Sequence, residues 1–338
     1  VRGEWQGKLR PVLCNNWEGT YFDFNQAKIL KMAKAAASCG VELFVLDDGW
    51  FKNRNNDQQA LGDWVVDTKK LPQGLGKLAK QINQLGMDFG LWFEPEMISV
   101  NSDLYRQHPD WAVQLPEGNP ALGRNQLVLD LTKTEVVDYL VEQLSTILNS
   151  ANITYVKWDM NRNMTDIFSS GLASQQEFYH RYILGLYQLL EQITTRFPKI
   201  LFEGCASGGN RFDLGMLCYF PQQWTSDNTD AVSRLMIQGG TSYGYPPSVM
   251  GCHVSGVPNH QTLRITPLES RFHVAAFGVL GYELDFTKLN QVDRKTIIQQ
   301  ISDYKQYRQT LQYGKFYRVS EIGDDTVQWM SVNADQTA

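Results

Sequence analysis

At 338 residues, 43% hydrophobic and 20% charged, the chain can bury a large core and is neither a disordered nor a fibrous sequence. A formal net charge of -5 without any basic run speaks against nucleic acid or an anionic membrane surface as the main partner, since both demand a basic face. No apolar stretch of about 18 residues is present to span a bilayer.

The predicted elements alternate short apolar strands with longer helical stretches. PVLCNNW (11–17) is strand-like, and the segment after it carries Ile29, Met32, Ala33 and Ala36 at helical spacing, with Gly40 suited to a C-terminal cap. ELFVLDDGW (42–50) is the next strand. A helix over 75–85 and the strand DFGLWFEPE (88–96), stopped by Pro95, repeat the pattern. Thr132 is the expected N-cap of an amphipathic helix over 134–148, which feeds ITYVKWD (153–159). A helix over 175–197 ends at Pro198 and delivers KILFEGCASGG (199–209). QQWTSDN (222–228), SVMGCHVS (248–255) and GYELDF (281–286) bring the strand candidates to eight, with helices near 231–238 and 262–279. Eight strands alternating with helices is the pattern of an α/β chain folded as a (β/α)8 TIM barrel, with a doubly wound open sheet as the competing architecture. After residue 312, FYRVSEI and TVQWMSVN are strand-like with no helix between them, so the expected division is a barrel over 1–312 and the start of a C-terminal β-sandwich domain over 313–338.

Other signals narrow the chemistry. The N-terminus VRGEWQGKLR lacks the basic-then-apolar order of a signal peptide, and its first residue is not Met, which leaves room for a missing N-terminus. Cys14, Cys39, Cys205, Cys218 and Cys252 are odd in number and widely spaced, which fits reduced thiols and a cytoplasmic location. The five histidines show neither HxxxH nor HExxH spacing and no CxxC pair exists, so no metal site is expected. Neither GxGxxG nor GxxxxGK[ST] follows a strand, and no nucleotide or other cofactor is expected.

In a barrel the active site gathers at the C-terminal strand ends. Here those ends carry Asn15, Asn16 and Trp17; Asp47, Asp48 and Trp50; Trp92, Glu94 and Glu96; Lys157, Asp159 and Asn161; Cys205 and Ser207; Asp227 and Asn228; and His253. Each alone has a structural explanation as a cap or a solvated charge; together they describe an aromatic-walled ring of hydrogen-bonding groups suited to a polyhydroxylated ligand. The nine Trp, fifteen Tyr and sixteen Phe fit the apolar faces of sugar rings. Alternation sends Lys157, Asp159 and Asn161 to one side of their strand, so the ammonium is expected to favour the ionised form of Asp159, with a structural ion pair as the alternative. Asp227, between Trp224 and Asp230, is expected to have a raised pKa from apolar shielding and a like charge, with an N-cap role for the helix near Ala231 as its alternative. Two carboxylates pushed apart in pKa point to glycoside hydrolysis, with Asp159 as nucleophile and Asp227 as general acid/base.

LFVLDDGWF, GLWFEPEMIS, YVKWDMNR, FEGCASGGNRFD and WTSDNTDA together resemble glycoside hydrolase family 36, the α-galactosidases of the melibiose and raffinose type, over about residues 11–314. The resemblance implies a retaining exo-hydrolase of terminal α-1,6-galactosyl residues, with Asp159 and Asp227 in the catalytic roles. It also implies that Asp47 and Asp48 bind O4 and O6, that Lys157 holds O3 and O4, and that Cys205 and Gly208 line the pocket near O2. Trp17 then closes the floor or wall, Arg124 in GRNQLVLD lies near the rim, and Trp92, Asn161 and Trp224 complete the substrate-binding set. Family members carry a large β-sandwich before the barrel and a smaller one after it, and often form homotetramers; this chain lacks the first and holds only the start of the second. An α-N-acetylgalactosaminidase and a galactosyl-transferring relative are the near alternatives. A sugar-binding barrel without catalysis and a barrel isomerase or aldolase are the alternatives of other classes.

Overall fold

The computed structural model describes residues 3–320 and 326–336. Eight parallel strands close into a barrel: β1 (Leu13–Asn15), β2 (Leu43–Leu46), β3 (Asp88–Phe93), β4 (Tyr155–Trp158), β5 (Leu201–Gly204), β6 (Gln222–Trp224), β7 (Met250–Ser255) and β8 (Val279–Glu283). Their spatial order follows the chain, and β8 returns to pair with β1 through Leu13 opposite Gly281. Seven fall within the strand segments read from the sequence, because parallel strands buried on both faces appear as continuous apolar runs; β8 overlaps its segment but starts at Val279, two residues before 281, where the sequence places the end of a helix.

Helices α1 (Gln26–Ala37), α2 (Gly74–Asn83), α3 (Thr134–Ser150), α4 (Phe178–Arg196), α5 (Ala231–Thr241), α6 (Leu268–Ala276) and α7 (Gln291–Tyr313) surround the strands. In α1 the buried set includes Ile29, Met32, Ala33 and Ala36, the stripe that the spacing predicts, and Asn25 caps the first turn by accepting from the Lys28 N–H. The α1 helix stops at Ser38, with Gly40 beyond it in the left-handed region at φ 96°. Lys133, not Thr132, occupies the N-cap position of α3; Thr132 is turned away to donate its hydroxyl to Asp130 at 2.6 Å. Between β5 and β6 the described chain makes only a short 3-10 turn, Met216–Cys218.

Strand alternation sorts the core into two shells. Outward residues such as Phe44, Leu46, Phe89, Leu91, Val156, Trp158, Phe202, Val254 and Leu280 pack against the helices. Inward, Leu13, Leu43, Val45, Tyr155 and Leu201 form a separate apolar plug. Each fully buried Leu, Val or Phe contributes at most about 1.5–3 kcal/mol. The plug gives the barrel a closed floor beneath its C-terminal rim.

Two insertions shape that rim. The segment between β3 and α3 folds a short antiparallel pair, Met97–Ile98 with Leu127–Val128. The loop between β2 and α2 packs Trp64 against Trp50 and returns Arg54 to the barrel mouth. At the other end, α7 is tied to the barrel by Arg308 on Glu42 at 2.6 Å and by Gln312 bonding Arg10. Beyond α7, β9 (Lys315–Arg318) and β10 (Trp329–Val332) form an antiparallel ribbon; β10 falls within TVQWMSVN, β9 starts one residue before FYRVSEI, and Glu321 and Ile322 of that segment lie outside the described residues. The division expected at 312/313 falls on the last turn of α7.

Candidate active site

A cavity of about 210 Å³ opens at the C-terminal ends of the strands, lined by Trp17, Glu18, Asp47, Asp48, Trp92, Arg124, Lys157, Asp159, Asn161, Trp224, Asp227, His260, Gln261 and Glu283. Ten of the twelve residues singled out from the sequence are in that lining. Cys205 and Gly208 are not. Cys205 is buried beside Asp159, and burial together with the charges of Asp159 and Asp227 pushes its thiol well up. Gly208 is pressed against the neighbouring loop: a Cβ there would lie 2.7 Å from Ser226 Cα, and its φ of 85° is one that L side chains rarely adopt. It lets the chain after β5 approach the backbone that carries Asp227.

Asp47 and Asp48 continue β2 past its last residue and face opposite partners. Asp47 Oδ2 accepts from Lys157 Nζ at 3.0 Å and from Asn15 Nδ2 at 2.6 Å, while Oδ1 takes the Asp48 N–H at 2.9 Å. Asp48 is gripped by Arg54 in a two-pronged pair, Nε to Oδ1 at 3.0 Å and Nη2 to Oδ2 at 2.9 Å. Burial still raises the Asp48 pKa despite Arg54. Lys157 therefore differs from the sequence expectation. Alternation does turn it into the barrel with Asp159, but its ion pair reaches across to Asp47, just past the end of β2. Burial works against the ammonium; Asp47, followed by Cys205, Glu283 and Asp159, more than offsets it and holds Lys157 firmly charged.

Asp159 is instead held by neutral donors. Trp92 Nε1 at 3.2 Å and Asn161 Nδ2 at 2.8 Å donate to Oδ2, and the Met160 N–H donates to Oδ1 at 2.9 Å. Three donors from fixed strand-end positions aim this carboxylate into the cavity. Trp158 points the other way, as alternation requires, and donates to Glu96 at 2.9 Å on the outer side.

Asp227 lies on the loop after β6, with Trp224 Nε1 donating to it at 3.0 Å. Its pKa is raised by burial first and then by Asp159 and Glu283, against the opposing effects of Lys157 and the Trp224 bond. The like charge is thus Asp159 across the cavity rather than the sequence neighbour Asp230. Asp230 is occupied as the N-cap of α5, accepting from the Ser233 N–H at 3.0 Å and pairing with Arg264. The capping alternative for Asp227 falls with it.

Sequence reasoning missed Glu18, His260, Gln261 and Glu283. Glu18 accepts from Thr229 Oγ1 at 2.7 Å and lies 3.3 Å from His260 Nε2. Burial and the neighbouring Glu283 push Glu18 up to about 9, so this second carboxyl pair on the wall keeps a proton on Glu18. Glu283 had a legible signal, since alternation from Gly281 turns it inward; Glu18 lies on a one-turn helix, Trp17–Thr20, too short to show a period, and His260 and Gln261 sit on a turn. His253 and Trp50, read as ring members, are absent from the lining: His253 lies against Trp224 with ring centroids 4.3 Å apart and planes tilted by 41°, and Trp50 packs against Trp64 and Phe93 and donates to the Trp92 carbonyl at 2.8 Å. Among the described residues no group of three or more His, Cys, Asp or Glu is placed to hold a metal ion.

Trp17 forms one wall. Its N–H bonds Asn15 Oδ1 at 2.7 Å, and Tyr21 and Phe22 meet its ring edge-on at 5.1 Å. Arg124 is exposed at the mouth.

The family model described as Melibiase matches residues 1–314. Alpha-galactosidase AgaA of Geobacillus stearothermophilus is 56% identical over 340 residues, covering 100% of this chain and 47% of its own length. Alpha-galactosidase 1 of Pediococcus pentosaceus is 51% identical, covering 99% of this chain and 46% of its own length. The crystal structure of AgaA, described as a GH36 alpha-galactosidase, superposes with a TM-score of 0.97 over 99% of this chain and 47% of that one. A substituted form of AgaA has been solved in complex with raffinose, with the same TM-score and coverage. The chain spans about half the length of the curated relatives it matches. On the matched family model, these identities and the shared barrel, the chain belongs to the melibiase family, glycoside hydrolase family 36.

Proposed function

We propose that the chain is the catalytic barrel of a retaining exo-α-galactosidase that removes terminal α-1,6-linked galactose from oligosaccharides such as melibiose and raffinose. The observation that carries this reading is that Asp159 and Asp227 open on one cavity, whose polar wall includes Asp47, paired with Lys157, and Asp48, held from behind by Arg54. The named activities of the relatives and the raffinose complex of one of them support it.

The settings assign the steps. Asp159, aimed by Trp92, Asn161 and the Met160 N–H, attacks the anomeric carbon from the face opposite the leaving group. Asp227, whose raised pKa keeps a proton available, protonates the departing oxygen. The result is a β-linked galactosyl ester on Asp159. Asp227, now deprotonated, takes a proton from water as that water attacks the same carbon, which releases galactose with net retention. A closed floor below a cavity sized for a single sugar ring makes the action exo: only a chain end can be seated. The axial O4 distinguishes galactose from glucose, and buried groups fixed to bond it would be left without a partner by the epimer. Asp47 and Asp48, with Lys157, supply those groups.

The proposal extends to a cytoplasmic, homotetrameric enzyme acting on neutral saccharides rather than on nucleic acid or membranes; the free cysteines support the location, and the acidic charge balance supports the choice of partner. The test is side-by-side hydrolysis of aryl α-galactoside and aryl α-N-acetylgalactosaminide, with the first-formed anomer read by proton NMR. Rapid release of α-galactose is expected. Faster cleavage of the acetamido sugar, or first release of β-galactose, would overturn the reading.

A further inference from the structure

Glu94 stands one residue past β3, is 1% exposed and is not part of the cavity lining. Its Oε1 accepts from Gln126 Nε2 at 2.6 Å and from the backbone N–H of Asn161 at 2.6 Å. Asn161 passes the contact on: its Nδ2 donates to Asp159 at 2.8 Å, and its Oδ1 accepts from Ser207 Oγ at 3.1 Å. One buried oxygen therefore joins the end of β3, the inserted segment that carries Gln126, and the turn after β4. All three meet directly behind the carboxylate that attacks the sugar.

We propose that Glu94 is the positioning residue of the nucleophile: its carboxyl locks the Asn161 backbone and, through the Asn161 amide, fixes the orientation of Asp159. The proposal rests on the α-galactosidase reading above. The geometry leaves Asn161 little freedom, since its backbone N–H, amide nitrogen and amide oxygen each have a separate fixed partner. A shift of about 1 Å in a reacting group can cost about 100-fold in rate, so such a lock has a kinetic value.

The charge on Glu94 matters as much as its place. Burial, and then the negative charge of Asp159, push its pKa up to about 8, against the opposing bonds from Asn161 and the positive charge of Arg54. Asp159 faces it from the end of β4; Arg54 comes from the loop after β2 and is itself bound to Asp48. The partners from the inserted segment and from the turn after β4 are amides. Below about pH 8 Glu94 is neutral, which spares Asp159 a second buried negative charge. Above it, two anions face each other behind the anomeric centre, and the Asn161 lock is strained by their repulsion.

Two variants separate position from bulk. Glu94→Gln keeps an acceptor oxygen for Asn161 and Gln126 but cannot ionise; Glu94→Ala removes the acceptor. The substrate is 2,4-dinitrophenyl α-galactoside, whose leaving group needs no proton from Asp227. Wild-type kcat/KM is expected to fall as pH rises through about 8. At about pH 6, Glu94→Gln should remain within about threefold of wild type and lose that alkaline fall, whereas Glu94→Ala should lose about 100-fold in kcat with little change in KM. An alkaline fall that persists in Glu94→Gln, a Glu94→Gln variant as impaired as Glu94→Ala, or a fully active Glu94→Ala would overturn the proposal. Infrared difference titration gives a readout without turnover: a protonated-carboxyl band lost near pH 8 in wild type and missing from Glu94→Gln. A wild type without that band overturns the Glu94 proposal, whereas a wild type that shows the band but cleaves no α-galactoside overturns the functional reading instead.

Discussion

The two carboxylates of the cavity occupy contrasting ground. Asp159 extends a barrel strand and is held by three N–H donors from Trp92, Asn161 and Met160. Asp227 rides a loop, has one side-chain donor in Trp224, and faces the charges of Asp159 and Glu283. The same side-chain type thus receives two tasks from its surroundings. Fixed donors aim a nucleophile, while burial beside like charge loads an acid.

The largest effect that would break this contrast is at Asp159. Asp159→Ala should lower kcat by at least about a thousandfold on every substrate, and added azide should restore turnover with β-galactosyl azide as product. At Asp227 the loss should depend on the leaving group. Asp227→Ala should cost about 10²–10⁴-fold in kcat/KM on melibiose-type substrates and little in kcat/KM on dinitrophenyl galactoside, whose kcat still falls because the second step lacks its base until azide intercepts the ester and gives the α-galactosyl azide. If both variants lost activity equally on both substrates, the division of labour would be wrong. Lys157→Met leaves buried Asp47 without its ammonium and should destabilise the fold by about 3–5 kcal/mol in urea denaturation. An unchanged midpoint would show that Asp47 does not depend on the pair. The pH profile sharpens the acid side. Asp227 must hold its proton to donate it, so kcat/KM for melibiose should fall as pH rises through a pKa above the ordinary 3.8, before the dinitrophenyl substrate is affected. The smallest effect lies just outside the site: Asp230→Ala removes the α5 cap at a cost of about 1 kcal/mol, seen as a lowered Tm.

The sequence made the frame legible for physical reasons. Strands such as ITYVKWD and ELFVLDDGW announce themselves because both faces are buried, and the period-2 rule places Lys157, Asp159 and Asp47 toward the interior. Partner choice was not legible. Alternation pairs Lys157 with its own-strand neighbour, yet the ammonium bonds a carboxylate one hundred and ten residues earlier, just past β2. Proximity in the chain points to Asp230 as the like charge on Asp227, but Asp230 is engaged as the cap of α5. Closure of a barrel brings distant strand ends together, and no local pattern records which of them touch. The same limit hid Glu18 and His260, whose contact joins the short helix after β1 to the loop after β7.

The most direct test of the central claim is to find where the sugar becomes attached. The wild-type chain is inactivated with 5-fluoro-α-galactosyl fluoride, digested, and the labelled peptide sequenced by mass spectrometry. The account predicts a single galactosyl adduct on Asp159, in the peptide containing YVKWDMNR. An adduct on Asp227, or on a carboxylate elsewhere in the cavity such as Glu283 or Glu18, would contradict it.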